Sequence, residues 1–461
     1  MNTASFNVAA DRLRKQFESG ATKSYATRMD ALIRFKKAIR SNEREILKAL
    51  ETDLGKPELE AYASEVGLVY SEINHALKNL NQWMKPKRKR TPLLFFYSQS
   101  WIEMEPRGVV LIIGAWNYPC QLIWEPLVGA IAAGCCAVVK PSELAPASAA
   151  IVEKVLAEAF DENIVYTVQG NGSEVIPAMM DAFRFDHVFY TGGTEVGRKI
   201  AAMAAPKLVP VTLELGGKSP CFVDESADLT VAAKRIVWGK FWNAGQTCVA
   251  PDYVLVDAKI ENRFIEKLRR TILHEFDASL EKNHDLAKIV NQRHFDRLVR
   301  LLEGTTIVCG GTSDASERRI APTLVKLDNV EHPLMQEEIF GPILPVLGYR
   351  NLNDALDVVR RNPTPLSLYI FTEDSRYEKM ITDALPFGNG CVNNTVAQFA
   401  QQHLPFGGIG QSGYGSAHGE YSFEIFSHKR AMMRTSTQID MPVKYRPYKK
   451  GLKWFRWLMK P

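Results

Sequence analysis

The feature that most constrains this chain is a series of short, continuously apolar segments separated by stretches with helical patterning. "GVVLIIGAW", "AVVKPS", "IVYTVQG" and "HVFYTGG" follow one another between Gly108 and Gly193. A strand wetted on one face alternates apolar and polar residues, whereas an unbroken apolar strand must be covered on both faces. Helical stretches such as Ser148 to Phe160 lie between these runs, so the pattern predicts βαβ units around a buried parallel sheet. A second alternating section runs from about Leu213 to Asn389, with strands expected in "YVLVD" and "LYIFT". From about Asp11 to Gln82 the pattern is helical: Leu32, Phe35 and Ile39 mark one apolar stripe, and Ile46 with Leu50 another. "MKPKRKRTP" closes that section as a basic, proline-containing connection. The segment from "LPFGGIGQSGYG" onward is glycine-rich and reads as irregular. The fold class expected is α/β, in two domains.

Charge and composition exclude several functions. A net charge of +5 over 461 residues, spread along most of the chain, carries no nucleic-acid signature. The longest apolar run, Leu127 to Val139, is broken by Gly129 and Gly134 and falls short of the roughly 20 residues of a spanning helix. The N-terminus lacks the apolar core of a signal peptide. Seven cysteines (Cys120, Cys135, Cys136, Cys221, Cys248, Cys309 and Cys391) are odd in number and irregularly spaced. That argues for a reducing, cytoplasmic compartment. No C-x-x-C, H-x-H or H-E-x-x-H pattern occurs, so no metal site is expected.

Individual motifs admit two readings each. "NAGQTCVAPDY" carries Cys248, either a small buried hydrophobe or a nucleophile. In "HVFYTGGTEVGRKIAAMAA" a strand meets glycines and a helix opening near Thr194. This is either a simple turn or a phosphate site at a helix N-terminus. The spacing of Gly192, Gly193 and Gly197 is not the standard dinucleotide fingerprint. Lys140 and Glu143 in "VVKPSE" fall at a strand end, where a lysine is either solvated or faces a ligand. Glu214 in "VTLELGGKSP" either faces solvent or, partly desolvated beside two glycines, has the raised pKa of a general base. Asn117 in "GAWNYP" is a turn residue or an oxyanion donor.

Taken together, "AWNYP", "VVKPSE", "YTGGTEVG", "LELGGKSP", "NAGQTC", "QEEIFGPILP" and "LPFGGIGQSG" stand in an order that resembles the NAD(P)-dependent aldehyde dehydrogenase superfamily. The resemblance covers about residues 5 to 435 and is nearest to its class 3 branch, through "GQTCVAPDY" and "HGEYSFEIFSH". It implies a Rossmann-like cofactor-binding domain plus an α/β catalytic domain, with a small oligomerisation segment. The boundaries expected are 1–212 for the N-terminal helices and cofactor domain, and 213–395 for the catalytic domain. Residues 396–442 return to the cofactor domain and hold the oligomerisation segment, and 443–461 form a tail. Carried over residue by residue, Cys248 is the nucleophile, Glu214 the general base and Asn117 the side-chain half of an oxyanion hole. NAD or NADP is expected against Trp116, Lys140, Glu143, Thr191, Gly192, Gly193, Glu338 and Phe340. Relatives often carry serine at Gly193, so one phosphate contact is expected to be missing. Tyr70, Trp238, Trp242 and the loop Asn393 to Phe399 resemble substrate-pocket positions, with core aromatics as the other reading.

These assignments imply oxidation of medium- or long-chain aliphatic or aromatic aldehydes to acids through a thiohemiacetal and a thioester on Cys248. The rival readings are a dehydrogenase that passes the acyl group to coenzyme A and a catalytically silent structural homologue. Glu214 speaks against the first, and Cys248, Glu214 and Asn117 together against the second. A homodimer is expected. The tail "VKYRPYKKGLKWFRWLMKP" alternates seven basic residues with aromatics and has no acid. It reads as a peripheral contact with the cytoplasmic face of an anionic membrane, or as a strap on a partner subunit.

Overall fold

The computed structural model describes residues 3–276, 285–448 and 451–459. Its centre is a six-stranded sheet. In spatial order the strands are Gly413–Tyr414, Val211–Leu215, His187–Gly192, Val109–Ile113, Cys136–Lys140 and Val165–Thr167. All neighbours are parallel except Gly413–Tyr414, which returns antiparallel from near the end of the chain. The strand order reverses between Val109–Ile113 and His187–Gly192, which opens a crevice at the carboxyl ends of those two strands. Val109–Ile113 and Cys136–Lys140 are buried throughout, as unbroken apolar strands must be.

A second sheet of seven strands contains Pro220–Val223, Tyr253–Asp257, Thr323–Leu327, Ile343–Tyr349, Ser367–Phe371 and Asn389–Val392 in parallel, with Thr306–Cys309 antiparallel at one edge. The strand Val211–Leu215, which straddles residue 212, belongs to the first sheet.

The helix Gln121–Ala133 fixes the relation between the first sheet and the N-terminal helices, and it is apolar almost all round. Both of its ends are buried, so the orphan backbone groups need partners from the protein. Glu65 accepts from the Cys120 and Gln121 N–H groups at 3.0 and 3.1 Å. At the other end Gly134 adopts φ +88°, and Arg28 donates to the Ala132 carbonyl at 3.0 Å. Burial lowers the Arg28 pKa to about 10, and it remains a cation at a helix C-terminus.

Two regions differ from the sequence expectation. Lys87–Lys89, inside the basic connection, is a strand, and it pairs with Ser98–Pro106. The region expected to be irregular contains the helix Gly419–Ile425 and the nine-residue strand Ser427–Thr435, which pairs in full register with Ser98–Pro106. Ser427–Thr435 is exposed from His428 onward, so it carries no apolar alternation that a sequence reading could detect. The tail forms the helix Gly451–Leu458, while Lys449, Lys450 and Lys460 lie outside the described residues.

Candidate active site

Parallel strands deliver their last residues to one edge, and here that edge collects the expected groups. Thr191 stands opposite Glu214, and Ile113, which leads into the Asn117 loop, stands opposite Lys140. The Lys140 ammonium is buried and pairs with Glu143, whose other oxygen accepts the Gly172 N–H at 2.9 Å. Burial works to raise the Glu143 pKa, but Lys140 and the Gly172 N–H hold the carboxyl below its ordinary value. Gly193 is the residue before the helix Thr194–Ala204 and offers no side-chain cap. A Cβ there would meet nothing within 4 Å, so the residue just before the helix borders open space. At Gly192 a Cβ would lie 2.3 Å from the Tyr190 hydroxyl, which restricts that position to glycine.

Cys248 is placed by a strained turn. After the helix Leu229–Phe241, Asn243, Ala244 and Gly245 take φ of 53°, 52° and 73°, a conformation that costs ordinary L-residues about 1–2 kcal/mol each. Surrounding bonds hold the turn. The Asn243 N–H donates to Glu60 at 3.0 Å, and the Asn243 side chain donates to the Asn117 carbonyl at 3.0 Å. A Cβ on Gly245 would lie 2.2 Å from the Gly341 carbonyl oxygen. The turn brings Cys248 partly exposed to a junction of cavities, with its own N–H and that of Val249 directed at the sulfur. Asn117 is buried beside it and donates one amide hydrogen to the Gln246 carbonyl at 3.0 Å.

The site holds its protons tightly. Burial, then Glu338 and Glu214, push the Cys248 thiol up to about 12. Burial alone raises Glu214 well above the carboxylate range, and neither of its oxygens has a hydrogen-bond partner. Glu338 is pushed up to about 8 by burial and by Asp252. It packs against Gly216, where a Cβ would meet its Oε2 at 2.1 Å. The loop that carries it is fixed by groups to which the sequence reading gave no role. Lys218 donates to Asp252 and to the Leu334 and Glu337 carbonyls, and Asp252 accepts the Ile339 N–H at 3.0 Å. Arg297 donates to the Ile339 carbonyl at 2.5 Å. Phe340 meets Trp116 edge-on at 5.3 Å. Trp116, Thr191, Gly192, Gly193, Glu338 and Phe340 line one cavity of about 490 Å³ that ends at Cys248 and Glu214.

A second cavity, about 200 Å³, reaches Cys248 from another side and is almost wholly apolar. Trp238, 42% exposed, and Trp242 line it, their rings 5.3 Å apart. The loop near Phe399 contributes Val396, Ala397 and Phe399. Tyr70 is the exception among the expected residues. Its hydroxyl donates to Glu43 at 3.1 Å and it packs against the N-terminal core, away from this lining. Ser64 and Leu68, four residues apart, face the cavity instead. Tyr70 lies about 200° further round the helix, on the opposite face. The π-helical turn Tyr62–Gly67 lies just before this helix. Among the described residues no group of three or more His, Cys, Asp or Glu could hold a metal ion.

Known proteins resemble this chain along most of its length. The model of the Aldehyde dehydrogenase family matches residues 1–432. The 4,4'-diaponeurosporen-aldehyde dehydrogenase of Staphylococcus aureus is 45% identical over 442 residues, which is 95% of this chain and 96% of that protein. The rat protein named aldehyde dehydrogenase, dimeric NADP-preferring, is 40% identical over 93% of this chain and 94% of its own. A solved substrate-bound state of Staphylococcus aureus AldH matches with a TM-score of 0.96 and 43% identity, covering 100% of both chains.

Proposed function

Because this chain belongs to the aldehyde dehydrogenase family, a family of NAD(P)-dependent oxidoreductases, we propose that it oxidises medium- or long-chain aliphatic or aromatic aldehydes to carboxylic acids with Cys248 as nucleophile. The observation that carries this reading is the meeting of two cavities at one thiol, one apolar and one lined by glycines and acids. The apolar side suits an alkyl or aryl chain, which is held by burial and excludes charged substrates.

The other cavity fits a dinucleotide. Open space beside Gly193, at the start of the helix Thr194–Ala204, accepts a pyrophosphate; the Lys140–Glu143 pair, outside the cavity's lining, suits ribose hydroxyls, and Glu338 lies where a second ribose would reach. Bound NAD⁺ or NADP⁺ supplies the hydride acceptor. Glu143 hydrogen-bonds a ribose 2′-hydroxyl and repels a 2′-phosphate, which favours NAD.

The protein's own part follows from the geometry. The Cys248 thiolate attacks the aldehyde carbon, and the oxyanion is held by the Cys248 N–H and by the second amide hydrogen of Asn117. The first amide hydrogen, given to Gln246, fixes the orientation of that side chain. Loss of hydride leaves a thioester on sulfur. Glu214, as carboxylate, takes a proton from water, whose oxygen adds to the thioester carbon. Collapse expels the Cys248 thiolate and frees the acid. The test is NADH and NADPH formation with hexanal, decanal and benzaldehyde beside a Cys248→Ala control. Turnover retained in the control would overturn the assignment.

We also propose a homodimer built through the exposed strand Ser427–Thr435 and peripheral membrane contact through residues 443–461. Leu452 and Trp457 of the tail helix are 63% and 65% exposed beside Lys453 and Arg456, a composition suited to lying on an anionic surface. Among the described residues no helix is long and apolar enough to cross a membrane. Deletion of 443–461 is expected to abolish co-sedimentation with anionic liposomes. Unchanged co-sedimentation would refute the membrane reading, and a change in oligomer mass instead would assign the tail to the partner subunit.

A further inference from the structure

Aldehyde oxidation releases protons as well as hydride. RCHO, NAD(P)⁺ and water give RCOO⁻, NAD(P)H and two protons; one departs with the acid, and the one taken from water is left on Glu214 in a site whose two large cavities are filled by cofactor and substrate. A third, small cavity offers another way out. It measures about 40 Å³ and is bounded on one side by Glu214 and Cys248 and on the other by Glu125 and His418. That volume is enough for one or two waters. Glu214 lines it, is only 6% exposed, and has no hydrogen-bond partner on either carboxyl oxygen.

Glu125 is anomalous in its helix. It is a carboxyl 7% exposed within the otherwise apolar Gln121–Ala133, accepting from the Gln121 amide and lying 3.6 Å from His418 Nε2. His418 is held with equal care. Its ring stacks on Phe406 at 5.1 Å and meets Phe399 edge-on at 4.8 Å, and its backbone takes φ +77°. A strained, buried histidine beside a buried carboxyl is the kind of feature that folding stability alone does not favour.

The line continues outward. The residue after His418, Gly419, donates its N–H to Glu72 at 2.7 Å, and Glu72 is itself buried. Beyond Gly419 lies half-buried His75, whose ring meets that of exposed His403 at 4.8 Å.

We propose that Glu125 and His418 form the outlet by which protons collected at Glu214 leave the active site, passing toward Glu72 and the His75–His403 surface. They touch neither substrate nor cofactor and act through Glu214 and the intervening water, so the proposal rests on the reading of Glu214 as the base. In each transfer an O–H or N–H bond on the donor breaks as one forms on the acceptor, and no oxidant or reductant is involved. The titratable groups facing Glu125 are Glu72, Glu65 and His418, with Glu214 across the cavity. Burial first, and then Glu72, raise Glu125 well above the carboxylate range. Glu214 is raised by burial as well, in the same direction as Glu125. Burial raises Glu72 as well, to about 7, and lowers His418 to about 4, so His418 gives up a proton readily once it has taken one.

The test is a single turnover of the full-length enzyme with decanal, in which NADH formation and proton release to a pH indicator are followed together. Glu125→Gln keeps the shape and can still bond Gln121. His418→Asn keeps a residue tolerant of positive φ. Proton release in either variant is expected to lag hydride transfer by about tenfold more than in the unaltered enzyme, with KM for aldehyde and cofactor unchanged. The double variant is expected to be no slower than the worse single one, because both sit on one path. Proton release keeping pace with hydride transfer in both variants would overturn the outlet, as would a loss confined to KM. A Glu214→Gln control separates the two readings. If it still forms acid at the full rate, the base assignment fails and the outlet with it. If it stops acid formation while Glu125→Gln is without effect, only the outlet fails.

Discussion

At the scale of single residues, the site works against its own ionisation, and that has measurable consequences. Cys248 is pushed up to about 12 by burial, with Glu338 the next cause. Glu338 itself ionises near 8, so above that pH its charge opposes the thiolate. Glu338→Gln removes the opposing charge, and the rate of Cys248 alkylation by iodoacetamide is expected to rise in the variant above pH 8. An unchanged alkylation profile would show that the two groups do not communicate. Glu214 is raised in the same direction, so kcat is expected to increase with pH as Cys248 and Glu214 lose protons. At Gly193 open space surrounds the position a Cβ would take. Gly193→Ser is expected to fold normally and to lower KM for the cofactor roughly fivefold, the factor carried by one added hydrogen bond of about 1 kcal/mol. Titration of cofactor binding by fluorescence would show it.

At the scale of elements, the helix Gln121–Ala133 and the turn Asn243–Gly245 hold the chemistry in place. Glu65 caps the helix and also pairs with Lys56 at 2.7 Å, both side chains fully buried. Lys56 donates in turn to the Asn117 carbonyl at 3.1 Å and lies over the Tyr118 ring. One buried ion pair thus joins a helix cap to the proposed oxyanion residue. Glu65→Leu leaves a buried ammonium unpaired and is expected to cost about 3 kcal/mol, whereas Lys56→Met with Glu65→Leu together should cost less than the single change. Urea denaturation of both variants decides it. Gly245→Ala adds a Cβ against the Gly341 carbonyl at a positive φ, and is expected to destabilise by about 2 kcal/mol or more and to displace Cys248. The glycine and the cysteine of "NAGQTC" are both visible in the sequence. That Asn243 and Ala244 share the left-handed turn is not, because their conformation is imposed by Glu60, Asn117 and Gly341 from elsewhere in the chain.

At the scale of the whole molecule, one surface calls for a partner. The three-stranded sheet ends in the exposed edge Ser427–Thr435, which includes Met432 and Met433 at 38% and 49% exposure. An open edge of nine residues is a template for pairing with another strand. Met433→Lys is expected to halve the mass in light scattering without loss of cofactor binding. An unchanged mass would place the subunit contact elsewhere.

Local patterning determined a large part of this protein. Unbroken apolar runs such as "VVLII" have only one stable environment, a strand covered on both faces, so the parallel sheet and its strand ends were legible residue by residue. Because parallel strands all end at one edge, Lys140, Thr191 and Glu214 could be placed together before any contact was known. Tertiary structure alone decided the rest. Tyr70 faces away from the pocket because it stands two residues past the cavity-lining Leu68 on one helix, and Ser427–Thr435 is a strand because Ser98–Pro106 pairs with it rather than because of its own residues. The buried pairs Lys56–Glu65 and Glu125–His418 join residues far apart in the chain or on different elements. A charge such as that of Lys56, or a polar group such as the Glu125 carboxyl, can be buried only when its partner arrives at the same point in space, and that meeting is a property of the packed fold.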